Sequence, residues 1–366
     1  MSKDSGQLDT RIIGDEPVPD LDDGGAELLR SLPVKPRRDR YRFIRSIGFG
    51  GMKAVLLVED RDTGREIAMA MMPDYRERQK RDLERFVTEA RITAMLEHPG
   101  IVPVHDIGVD ASGSPYFTMK YLRGKSLDKV IKKLRTGDAE TVNYYTLFRR
   151  LQIFIRVCNA IDFAHSHGIC HLDIKPMNIN IGDFGEVVVL DWGLARTLDE
   201  NGHAKLDELR PKGTPGYIAP EYLNRESAVQ VGIRSDIYSL GGLLYTLLTL
   251  EAPLAGLEVE DILRHTAIGD LPRPSRAAPG RDIPVALDAV CMKAMAHNPA
   301  DRYASVTELR NEINVYMAGF APEAEHAGIV RRSGLFIARH YMKILLILAV
   351  VLAVALLCIL FWQHAE

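Results

Sequence analysis

The chain has 366 residues, 46% of them apolar and 26% charged, which fits a globular protein made of one two-lobed domain or two smaller ones. A net charge of −3 argues against a nucleic-acid surface, and Cys158, Cys170, Cys291 and Cys358 lack the paired spacing of a zinc site or a disulfide framework. Buried thiols in a reducing compartment are the expectation.

Residues 1–40 carry no amphipathic period. Acidic residues dominate through Glu27, basic ones follow at Arg30, Lys35, Arg37, Arg38 and Arg40, and Pro17, Pro19, Pro33 and Pro36 discourage regular structure. A disordered leader is expected, with an autoregulatory or docking arm as the alternative. The opening residues lack the apolar core of a secretory signal, so the body of the protein is expected in the cytosol.

From Tyr41 the pattern changes. Residues 43–47 read as a strand, Gly48-Phe49-Gly50-Gly51-Met52 as a glycine-rich turn, 53–59 as the returning strand and, after Asp62-Thr63-Gly64, 66–72 as a third. Glycines let backbone amides approach phosphates, although such a turn alone is a weak signal. Leu83, Phe86, Val87, Ala90 and Ala94 share one face of a helix expected over 75–97 and ended by Pro99. Strands follow near 102–109 and 116–121, then helices over 127–134 and 145–167. In the second of these, Leu151, Phe154, Ile155, Cys158, Ile161, Asp162 and His165 run at near-helical spacing. His165 and His167 have no partner at metal-ligand spacing and read as structural.

The stretch His171-Leu172-Asp173-Ile174-Lys175-Pro176-Met177-Asn178 puts an Asp, a Lys and an Asn on one short loop. A second Asp, in Asp191-Trp192-Gly193, lies just beyond the apolar run Val187-Val188-Val189-Leu190. Phosphoryl transfer needs that equipment: a carboxylate to position a hydroxyl and accept its proton, a cation for the moving phosphate, and oxygens for magnesium. Any one of these residues reads as part of a polar turn before a buried strand; the whole spacing does not. Downstream come Gly213-Thr214-Pro215-Gly216-Tyr217-Ile218-Ala219-Pro220-Glu221, Ser235-Asp236-Ile237-Tyr238-Ser239-Leu240-Gly241 and Asn298-Pro299-Ala300-Asp301-Arg302-Tyr303, with helices expected at 235–249, 284–296 and 306–317.

Residues 318–343 read as a polar juxtamembrane linker. Ile344 through Trp362 then carry no charge, and nineteen residues at helical rise span about 28 Å, close to a bilayer's hydrocarbon core. Arg331, Arg332, Arg339 and Lys343 precede this segment and only Gln363-His364-Ala365-Glu366 follow, so the positive-inside rule puts the preceding domain in the cytosol and 363–366 outside. On that reading an external sensor domain is not expected. A buried core helix is the alternative.

Over about residues 41–317 these motifs resemble the eukaryotic-like protein kinase family in its bacterial form, of which Leu190-Asp191-Trp192-Gly193-Leu194 is a bacterial-looking variant. The resemblance implies an α+β, bilobal kinase fold: N-lobe 41–119, hinge 120–122 and C-lobe 123–317, followed by one transmembrane helix. It puts the catalytic aspartate at Asp173, the phosphate-facing lysine at Lys175 and the metal ligands at Asn178 and Asp191, with ATP and Mg2+ or Mn2+ as cofactors. Ile47, Gly48, Gly50, Gly51, Val55, Ala68, the gatekeeper Met119 and the hinge residue Tyr121 would surround the nucleotide. Asp236 matches the buried aspartate that supports the catalytic loop, and Arg302 the arginine that pairs with the Ala-Pro-Glu glutamate, Glu221. Thr214 matches a threonine that contacts the catalytic Asp and Lys in serine/threonine kinases, and Lys175 points the same way.

The sequence also departs from that family. Ala70 in Ile67-Ala68-Met69-Ala70-Met71 stands where the Val-Ala-Ile-Lys lysine belongs, and Lys53 stands at the third glycine of the turn. Side chains alternate along a strand, so Lys53, Val55 and Leu57 share one face and Ala68 and Ala70 share the facing one; Lys53 is expected to point into the cleft over the small Ala70. This arrangement resembles the with-no-lysine kinases. Glu89 stands at the place of the helix glutamate that salt-bridges the phosphate-gripping lysine. Leu172 replaces the arginine that meets a phosphorylated activation segment, and between Asp191 and Glu221 the hydroxyls besides Tyr217 are Thr197 and Thr214, so control by segment phosphorylation is not expected. The expectation is a single-pass serine/threonine kinase at the cell (inner) membrane, cytoplasmic in its kinase domain. It would act on protein substrates the sequence does not name, with self-association left open. The alternative is a pseudokinase serving as a nucleotide- or protein-binding scaffold.

Overall fold

The computed structural model describes residues 40–365 apart from 50–52, 74, 76–78, 111–112, 205–212 and 224–230. Residues 1–39 of the expected leader and the turn glycines Gly50 and Gly51 lie outside the described residues.

Alternating apolar residues build a five-stranded antiparallel sheet from β1 (Tyr41–Phe49), β2 (Ala54–Asp60), β3 (Arg65–Met71), β4 (Val104–Val109) and β5 (Pro115–Lys120), in the order β1-β2-β3-β5-β4. The register sets Val55 opposite Ala70, Leu57 opposite Ala68 and Ala68 opposite Met119. Cross-strand partners point to the same side, so Val55, Leu57, Ala68, Ala70 and Met119 share a face. Helix α1 (Lys80–Met95) packs there, burying Leu83, Phe86, Val87 and Ala90 against Ala70, Met72, Val109 and Phe117. It begins at Lys80 because Gln79 is still extended. The opposite face closes over Val58, Ile67, Met69 and Tyr116, with Tyr41 edge-on to Tyr116.

The second lobe is helical, as the α+β, two-lobed resemblance implies. A short sheet joins β6 (Lys125–Ser126), β8 (Ile179–Ile181) and β9 (Val187–Val189), while β7 (Ile169–Cys170) pairs with β10 (Arg196–Thr197). Around them lie α2 (Leu127–Arg135), α3 (Ala139–Tyr144), α4 (Leu147–Ser166), α5 (Pro220–Leu223), α6 (Ile233–Thr249), α7 (Val259–Ile268), α8 (Pro274–Ala277), α9 (Val285–Ala294) and α10 (Val306–Met317). The centre is α6, whose residues from Ser235 to Thr249 are all buried. Cys158, Cys170 and Cys291 are buried free thiols.

Glu221, at the start of α5, and Arg302 form a buried two-pronged pair, Nη1 to Oε1 and Nη2 to Oε2 both at 2.8 Å. Ser235 Oγ donates to the same Glu221 Oε1 at 2.6 Å. Removing one partner of such a pair strands the other charge and typically costs about 3–5 kcal/mol.

Four helices, α3, α5, α7 and α8, were not anticipated. The short α3 is nucleated by Asp138, which accepts the Thr141 amide at 3.0 Å, and α7 stops at Gly269, whose φ of 73° suits glycine. The last helix, α11 (Ile329–Ala365), differs most from expectation: it is one 37-residue helix, so the stretch read as linker is helical from Ile329 onward. Good helix formers and the absence of proline let the turn propagate. Arg339 fastens it to the lobe, its guanidinium 3.7 Å from the Phe320 ring centre and donating to the Gly319 carbonyl at 3.2 Å.

Candidate active site

The loop before β8 hangs from a buried carboxylate. Asp236, fully buried in α6, accepts the backbone N–H groups of His171 and Leu172, both at 2.7 Å, and bonds His165 Nε2 at 2.8 Å. Burial pushes its pKa up, but the hydrogen bond and charge of His165, with His171, hold it below the usual carboxylate range. These bonds offset backbone strain at Leu172, whose φ of 61° is left-handed. His165 is therefore structural, as its spacing implied.

With its backbone so fixed, the loop presents a tight polar cluster. Asp173 Oδ2 accepts from Lys175 Nζ at 2.7 Å, and the same ammonium donates to Thr214 Oγ1 at 2.7 Å. Asn178 Nδ2 donates to the Asp173 carbonyl at 2.9 Å and to its Oδ2 at 3.1 Å. Sequence reasoning assigned no role to the His171 ring or to Trp192. The His171 Nδ1 accepts the Asp173 amide at 3.2 Å, Nε2 faces the Leu190 carbonyl at 3.2 Å, and Trp192 packs on the ring with centroids 4.6 Å apart. The imidazole thus joins the loop carrying Asp173 to the one carrying Asp191. Its membership of the His-x-Asp motif was the available signal.

Across the cleft, Lys53 Nζ bonds the Glu89 carboxylate and reaches Asp191 Oδ1 at 2.9 Å. The structure therefore brings together residues from β2's entry, α1 and the loop after β9. Ala70 is fully buried and leaves this space free of a long side chain. Burial pulls the Lys53 pKa down, but Glu89 and Asp191 outweigh it and the net shift is upward; the lysine is a cation. Asp191 is pushed up by burial and, more strongly, held down by Lys53, so it is an anion. Burial lifts the Glu89 carboxyl above its usual value against the pull of Lys53, with Asp191 adding to the rise. Asp191 has φ 61°, a left-handed conformation that Asp tolerates better than most residues.

Of the remaining nucleotide-facing residues, Gly48 pairs with Val55, and Ile47 sits in a bulge between Ser46 and Gly48. Ala68 adjoins Met119, and the Tyr121 hydroxyl, just past β5, accepts from Arg45 at 3.0 Å. Among the described residues no cluster of three or more His, Cys, Asp or Glu side chains is set to hold a metal by itself. A magnesium ion does not need one, because it takes one or two protein oxygens and completes its shell with phosphates and water. Asn178 uses its amide nitrogen on Asp173, so its oxygen is the atom left for a cation, and Asp191 adds a carboxylate. The donor set fits.

The protein kinase domain family matches residues 41–312. This chain belongs to that family. It is 35% identical over 307 residues to the serine/threonine-protein kinase PknD of Protochlamydia amoebophila, covering 79% of this chain and 31% of the relative. To the PknD kinase of Chlamydia felis it is 37% identical over 303 residues, covering 78% of this chain and 32% of the relative. The chain spans about a third of the length of these curated relatives.

Proposed function

We propose that this chain is a serine/threonine protein kinase that uses Lys53 in place of the third-strand lysine. One observation carries the reading: Lys53 lies against both Glu89 and Asp191 across the cleft from an intact Asp173, Lys175, Thr214 and Asn178 cluster. Asp173 orients the acceptor hydroxyl and takes its proton at the carboxylate. Lys175 neutralises charge on the transferred phosphoryl group, and Thr214 keeps that ammonium in place. Lys53, braced by Glu89, grips the α- and β-phosphates. Asp191 and Asn178 would hold magnesium or manganese, which would supply positive charge against the phosphates of ATP, the phosphoryl donor. Ile47, Gly48, Gly50, Gly51, Val55, Ala68, Met119 and Tyr121 enclose the nucleotide.

The kinase domain, 41–317, is tethered by α11. The stretch Ile329–Leu357 is apolar enough to cross a membrane and none of it is buried against the protein. The basic residues before the apolar run keep the domain cytoplasmic.

The test is transfer of labelled terminal phosphate from ATP by the full chain in detergent, with Lys53→Met and Asp173→Ala alongside. Loss in both variants is expected. Nucleotide binding without transfer in the parent would replace the kinase by a scaffold. Protease protection in sealed vesicles checks the orientation: the kinase domain is digested only when the cytoplasmic face is outward.

A further inference from the structure

Helix α2 buries Leu127, Val130, Ile131 and Leu134, the spacing of a single helical face. The opposite face and the residues just ahead of it are strongly basic: between 123 and 135 stand Arg123, Lys125, Lys129, Lys132, Lys133 and Arg135, against the single acid Asp128, in a chain whose net charge is −3. Three of these cations have local partners, Lys132 with Asp128 at 3.0 Å, Arg135 with Glu251 at 2.9 Å and Arg123 with Glu66 at 3.2 Å. Lys125, Lys129 and Lys133 are exposed and have no ion pair among the described residues. Asp138 lies near Lys125 and Lys133, but its carboxylate is taken up by the Thr141 amide and hydroxyl.

Helix stability explains only part of this. Cations in the last turn, Lys132, Lys133 and Arg135, suit the negative end of the helix dipole. Lys129 in the first turn and Lys125 just before the helix sit at the positive end, where the dipole disfavours them. Their location has another use. Helix α2 packs on the turn Pro176–Asn178 of the catalytic loop, and Lys125 in β6 pairs with Ile181 in β8, directly after that turn. The helix that carries the basic face thus adjoins the catalytic loop, with the exposed lysines on the solvent side of that helix, away from its buried stripe. Met177, 52% exposed in that turn, brings no negative charge to the rim, and neither does any residue from Gly213 to Ala219 on the other flank.

We propose that the face formed by Lys125, Lys129 and Lys133 docks an acidic segment of the protein substrate, so that the accepted serine or threonine lies in an Asp/Glu-rich context. The proposal rests on the kinase reading and adds its substrate class. Exposed ion pairs are individually weak, but several acting together set partner choice and give it a marked salt dependence.

The experiment compares kcat/KM of the full chain for synthetic peptides whose single threonine is flanked by Asp and Glu, by uncharged residues, or by Lys and Arg. Acid-flanked peptides are expected to be favoured over neutral ones by about tenfold, mostly through KM, and less so as salt rises. Replacing the three lysines together (K125E, K129E, K133E) should bring the acid-flanked peptide down to the neutral one and leave the neutral rate unchanged. Equal kcat/KM for acidic and neutral peptides in the parent overturns the proposal, as does a triple variant that keeps the preference. A triple variant that loses binding to phosphatidylserine vesicles while keeping the peptide preference assigns the face to lipid and overturns it too. No transfer to any acceptor overturns the kinase reading, and the proposal with it.

Discussion

The two charged clusters on either side of the cleft are built on different principles. Asp173 is fixed through its backbone: Asp236 holds the two preceding amides, the His171 ring holds its own amide, and Asn178 holds its carbonyl. Among the described residues, the Lys53 side chain is held at its tip, by Glu89 and Asp191, at the end of a flexible four-carbon stem. A carboxylate that must meet a hydroxyl at a set angle needs its loop held. An ammonium that must only deliver charge to phosphates can arrive from a neighbouring strand. On the proposed reading, this is what would let Lys53 on the neighbouring strand do the work of the third-strand lysine while the aspartate loop keeps its spacing.

The largest effect should come from the anchored side: Asp173→Ala is expected to lower kcat/KM by about a thousandfold with an unchanged thermal midpoint, measured by phosphate transfer and calorimetry. On the tip-anchored side, Lys53→Met should lower it by about a hundredfold, and adding Ala70→Lys to that variant should return part of the loss, because either strand can present an ammonium to the same point. An added lysine that recovers nothing would mean that Lys53 acts through its own backbone position, and the contrast between the clusters would fail. Arg302→Ala leaves Glu221 buried and unpaired and should destabilise the chain by about 3–5 kcal/mol, read from denaturant unfolding.

The smallest effect is a pH limb. Burial raises the Glu89 carboxyl, so acidification protonates it before ordinary glutamates and removes one anchor of Lys53. The parent's kcat/KM should accordingly fall on the acid side at a pH above the usual glutamate value. Glu89→Gln, slower throughout, should lack that limb.

Much of this was legible because kinase chemistry is written in short motifs. Asp173, Lys175, Asn178 and Asp191 could be located from spacing, and the strand alternation that put Val55 and Ala70 on one side reappears in the register, with Lys53, just ahead of β2, reaching Glu89 and Asp191. What escaped is set by three-dimensional context. Leu172 and Asp191 both take positive φ although neither is glycine: the bond from the Leu172 amide to Asp236 offsets the strain at Leu172, and Asp tolerates that region better than most residues. Helix α7 is short and only Thr266 in it is buried, although Val259, Ile262 and Leu263 stand at helical spacing in the sequence. The early start of α11 reflects good helix formers without proline, and its docking depends on Arg339 meeting Phe320 and Gly319, a contact between residues that look like parts of an unstructured linker.

That last helix has a mechanical consequence. At helical rise its 37 residues measure about 55 Å, while a bilayer's hydrocarbon core takes up about 30 Å. The remainder, clamped to the lobe at Phe320, is a stiff spacer where a flexible tether would let the domain wander. If α11 spans a membrane as proposed, a kinase on such a strut would stay in a thin slab at a set height above the bilayer, and acceptors that reach that height would meet it far more often than those free in the cell's volume.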